Sequence, residues 1–145
     1  MTLIEVLAVV TIVGILAMAV FPFAKTSVKR AHEMELRRSL REIRTAIDRY
    51  KAMYDAGIFE KQIGASGYPP TLEILVTGVP LAGAPGKTVK LLRRIPRNPV
   101  DPGGGWLPRS HDDPSEASSW GGQDVFDVRA KSTGTALDGT RYADW

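Results

Sequence analysis

The chain has 145 residues, with 19 Lys and Arg against 16 Asp and Glu, which is room for one small domain and too mild a basic excess to indicate a nucleic-acid partner. It contains no cysteine, so disulfides, thiolate metal sites and a cysteine nucleophile are excluded. There are two histidines: His32 lies among charged residues and His111 beside Asp112 and Asp113. Neither adjoins a nucleophile motif, both read as surface residues, and no enzymatic activity is expected.

The chain opens on MTLIEVLAVVTIVGILAMAVFPFAK. Leu3 to Ala24 is long enough, at 1.5 Å per residue, to cross a hydrocarbon core of about 30 Å. No basic segment precedes it, its apolar stretch is longer than a signal peptide's and no small-residue cleavage site follows, so it is read as retained. Within it stands one carboxylate, Glu5. An acid at the centre of a bilayer costs about 3 kcal/mol or more, so Glu5 either snorkels at the interface or serves a function with a partner. Gly14 costs about 1 kcal/mol relative to Ala, and Pro22 removes a backbone donor and clashes with the carbonyl of Met18, which makes 14–22 the weakest part of the helix. Unwinding there would be tolerated only where protein has replaced lipid. The basic residues just after the run, from Lys25 to Arg44, would by themselves place the C-terminal side in the cytoplasm.

After Pro22 the pattern becomes amphipathic. Val28, Leu36, Leu40, Ile43, Ile47, Tyr50 and Tyr54 recur mostly at spacings of three and four with charges between them, which predicts one helix from about Thr2 to Tyr54 whose apolar stripe packs on the chain's own sheet. Its charged face, Lys25 to Arg44, is solvated in a single copy and in an assembly would meet acidic loops of another. From Asp55 onward Gly and Pro impose short elements. Gly67 to Pro70 is a turn, Thr71 caps a short helix using Leu72, Leu75 and Val76, and KTVKLLRRIPRNP is a brief apolar stretch. GWL is a candidate strand, and DVFDVRA alternates as a strand anchored by Val125 and Phe126. LDGTRYADW carries an Asp-Gly turn with Tyr142 and Trp145 beyond it. Trp106, Trp120 and Trp145 are expected to pack a small sheet.

TLIEV followed by an apolar helix with Gly14 and Pro22 resembles the mature N-terminus of the type IV pilin-like superfamily. RIPRNPVDPGGG and DVFDVRAKSTGTALDGTRYADW are most like the G-type major pseudopilin of type II secretion, and the absence of the cysteine-closed loop usual in major type IV pilins favours the same subgroup. The fold implied is α+β: a long N-terminal helix on a small antiparallel sheet with a loop-rich C-terminal region. Residues 1–24 would form the membrane or filament-core half of the helix, and 25–145 a periplasmic or extracellular domain.

The resemblance also implies a role. Met1 would be the terminus left by a prepilin peptidase and then N-methylated, although the family usually has Phe there. The leader removed would reverse the charge count and place the domain outside the cytoplasm. An α-amino group with an ordinary pKa of about 7.7–8.0 is largely protonated at neutral pH; the family pairs it with Glu5 of a neighbouring subunit, whereas the i, i+4 spacing also allows Met1 and Glu5 to pair within one helix. Gly14 and Pro22 would bound a segment that melts on assembly. The implied partners are the chain itself as a helical homopolymer, other pseudopilins, an inner-membrane assembly platform with a cytoplasmic ATPase, and the membrane before assembly; the alternatives are a surface pilus and a membrane-tethered binding module. Acids among glycines near the C-terminus raise calcium, which takes oxygen ligands, and a Ca2+ site would use Asp138 and Asp144.

Overall fold

The computed structural model describes residues 2–61, 63–101, 103 and 105–145, with all of their side chains except those of 19–23. One helix dominates: α1 runs from Leu3 to Asp55, about 80 Å at 1.5 Å per residue. Thr2 caps it, the Thr2 hydroxyl accepting the Glu5 N–H at 3.4 Å while a Glu5 carboxylate oxygen accepts the Thr2 N–H at 3.3 Å. This reciprocal pair satisfies two backbone donors that the first turn would otherwise leave open.

The helix has two environments. Every described side chain from Leu3 to Met18 is exposed, apolar residues on all sides included. From Glu33 on, one stripe is buried: Leu36, Leu40, Ile43, Ile47 and Tyr50, with Ala46 beside it. The stripe therefore begins later than the periodicity implies. Val28 is 57 % exposed; with Ala24 it forms one wall of an open groove that has Pro99, Val100 and Tyr142 on the other side.

The architecture is α+β, and the β part is two small antiparallel sheets where one was expected. α2 (Ile74–Thr77) precedes β1 (Val79–Pro80), which pairs with β2 (Thr88–Val89). β3 (Trp106–Arg109) pairs with β4 (Asp127–Ala130), Trp106 opposite Ala130 and Arg109 opposite Asp127. A 3-10 turn, Tyr142–Asp144, follows. α1 packs on β4, whose Val128 and Ala130 are fully buried while Asp127 and Arg129 between them are half-buried, the alternation of a strand with one face in the core.

Three local expectations change. Thr71 does not cap α2; Glu73 occupies the cap position and makes no side-chain bond there, and Leu72 is buried just before the helix instead of within it. Phe126 does not anchor β4 in the core: it is 43 % exposed and packs edge-on against Tyr68 and His111. Val125 is fully buried, yet its N–H goes to the Pro69 carbonyl and not into the strand ladder. The Asp138-Gly139 turn is present, with Gly139 at φ +88°, a conformation in which only glycine is unstrained, and Ala136 and Thr140 closing it by a 2.7 Å backbone bond.

Candidate assembly site

At the N-terminal end, Glu5 is held by its own helix start, with its carboxylate on the Thr2 N–H. Met1 lies outside the described residues, so the pairing and processing expected there are not part of this geometry. The T-x-x-E spacing of Thr2 and Glu5 was a legible capping-box signal that the reading of Glu5 as a membrane acid passed over. Capping and pairing are compatible, since a carboxylate accepts on both oxygens.

Gly14 sits in open space, with nothing within 4 Å of where a Cβ would be. The helix is continuous through Gly14 and Pro22, and the Pro22 side chain lies outside the described residues. Among the described residues no helix is long and apolar enough to cross a membrane. The described side chains of the apolar run stop at Met18 and resume at Ala24, so this covers only part of the expected 3–24 span.

The C-terminal segment is tied back onto α1 by polar contacts. Glu33, 9 % exposed, accepts the Leu137 N–H at 2.8 Å and the Tyr142 hydroxyl at 3.0 Å. Its position was also readable: 33, 36, 40, 43 and 47 form one stripe, and an acid within an apolar stripe calls for a partner. Four residues on, the Arg37 guanidinium lies 4.3 Å from the centre of the Trp145 ring and 3.5 Å from Asp138. Arg44 donates to both oxygens of Asp127 at 2.7 and 3.4 Å, and to the backbone oxygens of Val128 and Trp145, each at 3.1 Å. One guanidinium thus joins the helix, β4 and the last residue, using the planar fork that lysine lacks.

Burial and the hydrogen bond to Glu33 push the Tyr142 phenol from its ordinary 10.0 up to about 12. Between those two values the unfolded chain has lost a proton that the folded chain keeps, so stability contributed by Tyr142 is intact below pH 10 and is lost as the pH rises through about 12. Tyr142→Phe is therefore expected to flatten the alkaline part of the stability curve relative to the unaltered chain. Thermal midpoints of both proteins at pH 9 and 11 check this; equal losses in both would refute it.

The acids expected to hold calcium are otherwise engaged. Asp138 accepts the Thr140 hydroxyl at 2.6 Å and its N–H at 3.0 Å, which together with Arg37 hold its carboxyl below the usual range. Asp144 is chelated by Arg141 through two 3.1 Å bonds. Among the described residues no group of three metal-ligating side chains converges. In this arrangement the segment is fastened to α1 by Glu33, Arg37 and Arg44.

No protein-family model, curated protein or solved structure matches the chain.

Proposed function

We propose that this chain is a structural subunit of pilin-like fold that polymerises into a helical filament through its N-terminal helix, in the manner of a major pseudopilin serving type II protein secretion. One observation carries the reading: from Leu3 to Met18, Glu5 and Thr11 apart, the helix is apolar and it is exposed on all sides. A helix of that kind is stable in water only when covered. Lipid covers it before assembly, with 1–24 as the membrane anchor of an inner-membrane protein; copies of the same helix cover it in the filament core.

In such a core Glu5 cannot remain solvated. An unpaired carboxylate and an unpaired ammonium would each cost several kcal/mol, and pairing recovers much of this. The Thr2 cap occupies one side of the Glu5 carboxylate and leaves acceptor capacity for the terminal amine of a neighbour, processed and N-methylated at Met1. Loss of helical bonds between Gly14 and Pro22 on assembly would let the core half reorient while the domain half stays rigid. The domain then lies outside the cytoplasm, and growth by a cytoplasmic motor and an inner-membrane platform extends the filament.

The direct test is electron microscopy of sheared material from cells overproducing the full chain. Regular filaments that are reactive to an antibody against the domain are expected; a membrane-bound protein that never forms them would favour a tethered module and overturn the proposal.

A further inference from the structure

Charge is unevenly distributed along the sequence. Residues 25–54 carry nine Lys and Arg against four acids, whereas residues 110–127 carry five acids and no Lys or Arg. On α1, Arg30, Arg37 and Arg41 fall at i, i+7 and i+11 on one stripe, with Met34 between them and 63 % exposed. Arg37 is engaged with Asp138, while Arg30 and Arg41 are exposed and make no ion pair among the described residues. A groove of about 330 Å3 between Arg41, Leu40 and Trp145 flanks the stripe.

The segment 110–121 is ordered by its own bonds and by Arg109 and Arg129, which donate to the Pro114 and Ser115 carbonyls. Asp113 accepts the N–H groups of Ser110 at 2.8 Å and Gly121 at 3.1 Å, bonds that keep its carboxyl below the usual range and fold 110–121 back on itself. Asp112, its side chain 82 % exposed, touches only the neighbouring His111 ring at 3.4 Å and otherwise faces solvent.

The two patches lie at different heights. His111 stacks on Tyr68 at 5.9 Å, and Tyr68 lies under the Lys51 ammonium at 5.5 Å, which puts Asp112, next to His111, beside the helical turn of Lys51. Lys51 is separated from Arg41 and Arg30 by about 15–32 Å of helix. Patches so offset cannot meet within one chain, but they meet between two copies displaced along the helix axis. A contact between unlike surfaces of that kind repeats without closing.

We infer that the acidic loop of one copy, through Asp112, docks on the Arg30–Met34–Arg41 stripe of a second copy. This rests on the filament reading and supplies that filament with a contact outside its apolar core. Each exposed ion pair is weak alone, and repetition at every subunit makes the set matter.

The absence of cysteine gives a clean test. In the full chain, Arg41→Cys and Asp112→Cys are introduced together and singly, and membranes are oxidised and run without reductant. The double variant is expected to give a reductant-sensitive ladder extending past the dimer, and the single variants are not. A dimer alone would mean a closed two-fold contact and would overturn the inference, as would no band above the single variants. Arg41→Glu is expected to lower the assembled fraction at least threefold, and adding Asp112→Lys to restore at least half of it; a double reversal no better than the single would overturn the charge pairing. The cysteine samples are also imaged: filaments without a ladder would overturn this contact and leave the filament reading intact, a ladder without filaments would do the reverse, and neither would overturn both.

Discussion

Glu33→Ala is expected to destabilise the domain by about 2–6 kcal/mol, a large part of the roughly 5–15 kcal/mol available to a protein of this size. The wild-type carboxylate accepts two donors inside the protein, the Leu137 N–H and the Tyr142 hydroxyl. Alanine leaves both without an acceptor, at about 1–3 kcal/mol each, and water reaches the site poorly because Tyr142 is 5 % exposed and Glu33 9 %. Glu33→Gln keeps an acceptor oxygen and is expected to lose less than half as much. Tyr142→Phe removes a single donor and should cost about 1 kcal/mol. Denaturant unfolding of the detergent-solubilised chain, followed by tryptophan fluorescence, measures the series; a loss below about 0.5 kcal/mol in Glu33→Ala would show that this carboxylate does not hold the C-terminal segment.

Ile43→Ala is expected to cost 2–5 kcal/mol, the usual range for a large aliphatic side chain truncated in a core. Ile43 is fully buried midway along the stripe that packs on β4, and that packing leaves little freedom to collapse into the space. Ile12 on the same helix offers the contrast, being 58 % exposed. Ile12→Ala should leave unfolding of the domain within about 0.5 kcal/mol of wild type and reduce the assembled fraction instead. The same chemical change at two heights of one helix thus separates folding from assembly. Equal effects of the two substitutions on unfolding would contradict the division of α1 into a packed half and an unpartnered half.

Much of this was readable before any coordinates. The long helix followed from an apolar run continuing into a stripe without a loop signal, and its bounds, Leu3–Asp55, lie within a residue of the expected ones. The Asp138-Gly139 turn followed from its dipeptide. Pattern failed where long-range bonds decide. Phe126 alternates correctly for a core position, but its neighbours Tyr68 and His111 come from distant loops and form a surface cluster. Thr71 has the right residue type for a cap, yet α2 starts at Ile74, three residues on. Glu33 escapes a stripe defined by apolar residues alone, and Arg44, which ties the helix to β4 and to the last residue, looks in one dimension like one more surface cation. The bonds of Asp138 to Thr140 and of Asp144 to Arg141 likewise appear only once the chain is folded.

Polymerisation through a paired Glu5 is the central claim, and one comparison addresses it most directly. The unaltered chain and Glu5→Ala are overproduced side by side, equal membrane levels are established by blot, and sheared fractions are imaged by negative stain. Loss of a cap of this kind costs only about 1 kcal/mol at the first turn of the helix, far from the domain, so both proteins should reach the membrane folded. The prediction is filaments from the unaltered chain and at least a tenfold loss of them in Glu5→Ala; equal filament yield from the two proteins would contradict it.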